Sequence, residues 1–235
     1  MAKIQTEQAL TGAIQKEMSR LSRRKFLGYA GAATGLMAAL AACTKTNDAP
    51  SARTADGTID VGSGDGGILN YAYALEQLEA AFYVQVMMHP YANMNSSEMA
   101  MLSDIRDHEI AHREFFKNAL GANAIPALEF DWSKIDFTSR ASVLGTSMAF
   151  EDLGVSAYNG AGHLIQSGDY LLLAGKIVSV EARHASYVRD LVKYNSFADD
   201  SIIDMNGLDK ANPPSVVLPI AQTYIKTKLS ANSLP

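Results

Sequence analysis

Six acidic and imidazole side chains fall into two sets with identical spacing. Glu79 is followed thirty positions later by Glu109, and three after that by His112. Glu151, Glu181 and His184 repeat the same steps, and each stands seventy-two positions after its counterpart. Residues three apart on a helix share one face, with Cβ atoms about 5–6 Å apart, so each Glu-x-x-His pair can grip one metal ion. Apolar residues stand at helical steps from each ligand: Phe82 and Val86, Ile105 and Phe116, Met148 and Val155, Ile177 and Val188. The carboxylates are therefore expected inside an apolar bundle, where four together repel one another and are costly unless compensated. Two divalent cations would neutralise them. One Glu from each of two helices with a Glu-x-x-His from each of the other two is the ligand set of dimetal carboxylate bundles. The competing reading is a polar core network that holds no metal.

The neighbours of these residues divide less cleanly. Glu76 competes with Glu79 from one turn earlier, but the common offset carries it onto Met148, so it is expected to stand behind the ligands or to face solvent. Tyr83, Tyr158 and Tyr187 are spaced to reach the site as hydrogen-bond donors or redox-active groups, although core tyrosines explain them as well. His108 points about 100° away from Glu109 around its helix and is not expected to be a ligand. His89 and His163 have no partner at ligand spacing.

The elements that must position the ligands are four proline-free helical patterns. The first runs from about Ile68 to Met88, with Leu75, Leu78, Phe82 and Val86 on one face, and stops at His89-Pro90. The second runs from Ser96 or Ser97 to Leu120, the third from Ser139 to Ile165, and the fourth from Asp169 to Tyr194. Residues 121–138 form a long aromatic connection containing Pro126, Phe130, Trp132 and Phe137. Two short loops flanking one long crossover predict an all-α, ferritin-like four-helix bundle over residues 68–195. Residues 196–235 are a C-terminal extension, whose apolar stretch Ser215 to Ile225 is expected to dock as a short segment.

Residues 1–42 read as an export address. Six basic residues against two acidic ones culminate in Arg23-Arg24-Lys25, and Phe26 to Ala42 carries no charge. Ser22-Arg23-Arg24-Lys25-Phe26-Leu27 resembles a twin-arginine signal. Leu40-Ala41-Ala42-Cys43 resembles a lipobox, with the single cysteine of the chain at the residue that would be lipidated. Residues 43–67 are read as the lipidated Cys43 and a flexible Thr/Asn/Ser/Gly tether of about 23 residues, spanning on the order of 26 Å. The implied location is the cell envelope, in the periplasm or at the outer membrane, since no aspartate follows Cys43. Beyond the signal, acidic residues outnumber basic ones, so nucleic acid is not an expected partner.

The segments Leu78-Glu-Ala-Ala-Phe-Tyr83, Asp107-His-Glu-Ile-Ala-His112 and Glu181-Ala-Arg-His-Ala185 resemble the exported ferritin-like proteins related to desiccation-associated proteins. The resemblance implies a dimetal centre in which Glu109 and Glu181 bridge two ions, with Glu79, His112, Glu151 and His184 as terminal ligands. The cofactor is expected to be two iron ions, with two manganese ions as the alternative. Oxygen or peroxide would be the small-molecule partner, in ferrous oxidation or peroxide removal linked to stress protection. The other partners expected are the twin-arginine machinery, the membrane through the lipid, and further copies of the chain if it assembles as a homo-oligomer. The alternative from another class is a non-catalytic envelope protein that metals only stabilise.

Overall fold

The computed structural model describes residues 51–235. The expectations for Arg23, Arg24 and Cys43 lie outside the described residues. Five helices and three short strands follow in order: β1 (Ala52–Arg53), β2 (Ile59–Asp60), α1 (Gly64–Met88), α2 (Ser96–Leu120), a 3-10 turn (Gly121–Asn123), α3 (Arg140–Gly162), α4 (Gly168–Val192), α5 (Pro214–Ala221) and β3 (Leu229–Ser230). The helices α1 and α2 pack as one antiparallel hairpin, α3 and α4 as another, and α1 meets α3 between the hairpins. The molecule is thus an all-α bundle with one long crossover.

Helix starts follow their caps. At the start of α2 the Asn95 side chain accepts from Glu98 N (2.9 Å) and Glu98 reaches back to Asn95 N, satisfying two of the otherwise orphaned amides of the first turn. The same Glu98 carboxylate accepts from Tyr91 and pairs with Arg140 at 2.6 Å, so one side chain ties the first loop to the start of α3. Ser139 caps α3 and Ser167 caps α4. Asp65 in the first turn of α1 accepts from the backbone of Gln166 and Ser167 (2.7 and 2.8 Å), which joins α1 to the loop between α3 and α4.

The most enclosed helix is α1, buried over nearly its whole length from Ile68 to Val86. Two of its buried amides read the backbone of the crossover. Asn70 donates to Asn123 O and Val61 O and accepts from Ile125 N; Gln77, two turns on, accepts from Leu128 N and donates to Pro126 O. Between its 3-10 turn and the bridge of Phe130 to Ile225, the crossover has its buried polar backbone satisfied this way. Its aromatic residues then close one side of the core, with Phe82 against Trp132 (6.3 Å between ring centroids), Phe137 (6.1 Å) and Phe150 (5.1 Å), and Phe150 against Tyr224 of the C-terminal extension (4.9 Å).

The expected tether differs from the structure in its second half. β2 pairs antiparallel with β1 and parallel with β3, so residues 52–60 join the end of the chain in a three-stranded sheet. Ile59 and Val61 are buried in the core, and α1 begins at Gly64, one turn before the apolar periodicity starts. Two apolar residues in a polar stretch are enough to fix it, because the strand partner, Leu229–Ser230, arrives from the far end of the sequence. Among the described residues no helix is long and apolar enough to cross a membrane.

The C-terminal extension lies on α3 and α1 through α5, with Val217 and Leu218 buried. It is held at its start by Arg189, which pairs with Asp152 (2.6 Å) and Asp199 (2.8 Å) and donates to Ser196 O. Farther on, Asn212 N donates to Ser156 O at 2.9 Å, and the backbone comes so close to α3 that a Cβ on Gly160 would lie 1.9 Å from Asn212 O. Gly160→Ala is therefore expected to lever residues 211–213 off α3 at a cost of about 1–3 kcal/mol. The check is a lowered thermal midpoint together with faster proteolytic cleavage after residue 195, whereas Gly162→Ala, with open space around it, should change neither.

Candidate metal centre

Halfway along the bundle every helix of the two hairpins turns an acidic side chain inward. Helix α1 supplies Glu76 and Glu79, α2 supplies Glu109 and His112, α3 supplies Glu151, and α4 supplies Glu181 and His184. All five carboxylates are buried, as is His184, while the His112 side chain keeps 13 % of its surface exposed.

Two four-residue groups emerge, each able to converge on one ion with its donor atoms within 4.8 Å of one another: Glu76, Glu109, His112 and Glu181, and Glu109, Glu151, Glu181 and His184. Glu109 and Glu181 belong to both. The His112 Nδ1 lies 2.8 Å from Glu181 Oε1, 3.5 Å from Glu76 Oε2 and 3.7 Å from Glu109 Oε2. The His184 Nδ1 lies 2.9 Å from Glu109 Oε1, 3.4 Å from Glu151 Oε2 and 3.6 Å from Glu181 Oε2. Each of Glu109 and Glu181 thus turns one oxygen to either histidine, as carboxylates spanning two ions do.

The outer oxygens of the other two glutamates are held from the opposite hairpin. Tyr158 on α3 donates to Glu76 Oε1, and Tyr83 on α1 donates to Glu151 Oε1 while also bonding Ser147 Oγ. Tyr187 is on the surface. The inner atoms are left without hydrogen bonds. Glu76 Oε2, both oxygens of Glu109 and Glu181, Glu151 Oε2 and the Nδ1 atoms of His112 and His184 are all buried with no partner among the described residues. Among those residues, only Tyr71 Oη and Asp152 Oδ1 share that condition elsewhere. Buried polar atoms are nearly always paired, so eight unpaired atoms facing one centre fit a metal-binding cage and not a finished polar network.

This places Glu76, and not Glu79, in the first group. Glu79 is buried beside it, with its carboxylate in the space left by Gly154 on α3, where an added Cβ would lie 3.1 Å from Oε1. The expectation that Glu76 faces solvent is corrected, since its side chain is wholly buried, and one of its oxygens faces His112 within the first group. Helix ends explain the difference. Glu109 lies thirteen positions past Ser96, where α2 starts; Glu76 lies twelve before Met88, where α1 ends, and Glu79 only nine. At about 1.5 Å per residue, Glu76 is level with Glu109 to within about 2 Å, while Glu79 is about 6 Å away in depth. A signal in the sequence pointed the same way. Glu76 precedes Tyr83 by seven positions, and Glu151 precedes Tyr158 by the same seven. This pairing relates the first helices of the hairpins by an offset three positions longer than the one relating the second helices, because the loop of the first hairpin is two residues longer and α1 runs one residue further past Glu76 than α3 does past Glu151.

His108 also has a place that its helical position did not suggest. Its Nδ1 lies 2.9 Å from His184 Nε2, on the side of that ring facing away from the carboxylates.

The electrostatics follow from burial. Desolvation, and then the charges of the neighbouring glutamates, raise the carboxyls of Glu79 and Glu109 well above their ordinary range. Glu151 is raised by burial to about 7, even though His184 and Tyr83 pull it down. Burial alone would lower His184, but the carboxylates of Glu109, Glu151 and Glu181 outweigh it and push the ring up to about 12; His112 is raised in the same way. Burial alone would raise Glu181, but the two histidines beside it outweigh that and bring it down to about 2. Without metal the cluster therefore retains protons that a metal would displace.

A model of the ferritin-like domain matches residues 64–194, more than half of the chain. The chain belongs to the ferritin-like domain family. A search among curated proteins gives no match. As in this family's bundle architecture, the buried carboxylate and histidine cluster is compatible with a metal site at the centre of the four helices.

The pH dependence has a defined sign. A carboxyl or imidazole raised on folding stabilises the folded chain below its unfolded value and loses that contribution as pH rises towards its folded value. For Glu151 the loss runs from about 4.5 to 7, and for His184 it begins above 6.5. Glu181, lowered to about 2, contributes steadily above 4.5. Chelator-treated ferritin-like protein is expected to melt at a lower temperature at pH 8 than at pH 5.5. Metal-loaded protein should show the opposite order, because loading releases protons. Differential scanning calorimetry of both forms at the two pH values checks the reversal.

Proposed function

We propose that this ferritin-like protein holds a dinuclear metal centre, iron ahead of manganese, and serves as an oxidoreductase that oxidises ferrous iron or consumes peroxide in protection of the cell envelope. The observation that carries the reading is the convergence of eight unpaired buried donor atoms from four helices on one point. Glu76, Glu109, His112 and Glu181 would hold one ion, and Glu109, Glu151, Glu181 and His184 the other. Mixed carboxylate and imidazole donors suit iron and manganese. Bound there, the ions would supply redox equivalents and Lewis acidity to oxygen or peroxide.

The chain's own residues prepare the site for this. Tyr83 and Tyr158 hold the outer oxygens of Glu151 and Glu76, so that the inner oxygens stay aimed at the centre. Phe82, Val86, Leu102, Ile105 and Val188 belong to the buried apolar core of the same bundle, whose low dielectric strengthens the electrostatic contacts within it. His112, the less covered of the two histidines, marks the side from which a small molecule would reach the centre. A twin-arginine signal at Arg23-Arg24 and lipidation of Cys43 would fix the protein to the envelope. The likeness to desiccation-related proteins supports the stress role.

The test is elemental analysis of protein purified without added metal, followed by oxygen and peroxide consumption assays. About two ions per chain with turnover is the expected result; two inert ions would leave a metal-stabilised envelope protein, and none would remove the dinuclear reading. Glu76→Gln should lose at least half of the bound metal, as Glu151→Gln should, while Glu114→Gln on the surface should lose none. Separately, replacing Arg23 and Arg24 by Lys is expected to trap the precursor in the cytoplasm, and Cys43→Ala to abolish incorporation of radiolabelled palmitate. Normal export or labelling of these variants would discard the address.

A further inference from the structure

The two Glu-x-x-His helices of the centre carry the same ligands but differ behind one of their histidines. Under the offset that relates α2 to α4, Glu109 answers to Glu181 and His112 to His184, and His108 answers to Val180. His108 reaches across from α2 to the ring of His184 on α4. The contact between their nitrogens is 2.9 Å, the ring planes are within 6° of parallel and the centroids are 5.1 Å apart. The nitrogen contact takes up most of the centroid separation, so the rings meet edge to edge and not face to face. Behind His112 the corresponding residue is a half-buried valine, which offers no acceptor, and no described side chain bonds the outer nitrogen of His112.

We propose that His108 is a positioning residue that makes the centre unequal, so that the ion beside His184 is bound more tightly than the ion beside His112. The inference rests on the dinuclear reading above. A neutral imidazole has one N–H and one lone pair, and a hydrogen bond at one nitrogen decides which is which. When His184 donates its Nε2–H to His108 Nδ1, the lone pair is left on Nδ1, the atom that faces Glu109, Glu151 and Glu181. The same bond fixes the ring's rotation and raises its basicity, which is how a partner behind a ligating histidine strengthens metal binding. His112 lacks such a partner on its outer nitrogen among the described side chains, and its ring is oriented only by packing and by the carboxylates facing its Nδ1. His108 itself is on the exposed side of α2. It therefore contributes to the centre without being part of its buried wall.

The experiment is a Co(II) titration of the purified, chelator-stripped protein, read by visible absorption. Wild type is expected to take up two equivalents in separable steps. His108→Leu should weaken the tighter step about ten- to a hundred-fold and leave the looser one unchanged. His108→Gln, whose amide oxygen can accept the same N–H, should stay within a few-fold of wild type. Val180→His, which supplies His112 with the missing partner, should tighten the looser step. Nitrogen-15 NMR of zinc-loaded protein labelled at histidine should show His184 metallated at Nδ1 and protonated at Nε2. Equal weakening of both steps in His108→Leu and His108→Gln, or metallation of His184 at Nε2, would overturn the inference while leaving two bound ions in place. If wild type takes up no cobalt, it is the dinuclear reading that fails. Melting curves of the stripped variants that match wild type exclude a general loss of structure.

Discussion

Five carboxylates buried at the middle of one helical bundle are the constraint around which this structure is arranged. Moving an ionised carboxylate out of water costs several kcal/mol even after relaxation, and each further one adds repulsion. The fold meets this cost only in part. Tyrosines from the opposite hairpin bond the outer oxygens of Glu76 and Glu151, and the two histidines stand among the inner oxygens at distances of 2.8–3.7 Å without hydrogen-bonding geometry. What is left is an inward-facing set of lone pairs that positive charge would complete. Metal binding at such a cluster is also folding energy, since the unfolded chain has no equivalent site.

Much of the remaining structure keeps α1 enclosed so that its two glutamates stay dry. The crossover lies against it through Asn70 and Gln77, which satisfy the backbone of residues 123–128 where no regular element does. The backbone of Val61 and Gly62 and the side chain of Leu234 lie against its beginning, and α5 lies against its side. Arg189 and the close approach at Gly160 hold the extension that carries α5. A bundle of four helices alone would leave one face of a helix that is apolar nearly all round open to water.

The relation between the hairpins is a repeat that is exact in neither length nor chemistry. Glu76 to Glu151 is a longer step along the chain than Glu109 to Glu181, and a longer loop between α1 and α2 together with one more residue at the end of α1 absorbs the difference. Geometry restores the symmetry that sequence spacing loses, in Glu76 with Glu151 and Tyr83 with Tyr158. His108 against Val180 then breaks it again on the outer side of the histidines, where a change of partner alters a ligand without altering the bundle.

The number of bundle helices, their pairing through two short loops and one crossover, and every member of the two donor groups except Glu76 were legible in the sequence. Helical periodicity, caps and three-residue spacing are local, and local geometry is nearly independent of what packs against it. The exchange of Glu79 for Glu76 was not legible from a single offset, because the two lie one turn apart on α1 and only the relative depth of two helices chooses between them. Depth depends on where each helix ends and on how the loop between them runs, and although α1 ends at Met88 as its periodicity predicts, the path of residues 89–95 is set only in the folded chain. The bond from His184 to His108 joins different helices of different hairpins, and the strand at Ile59 pairs with Leu229. Contacts of that kind leave no periodic trace in the chain. They exist only once tertiary packing has brought the two helices and the two ends of the sheet together.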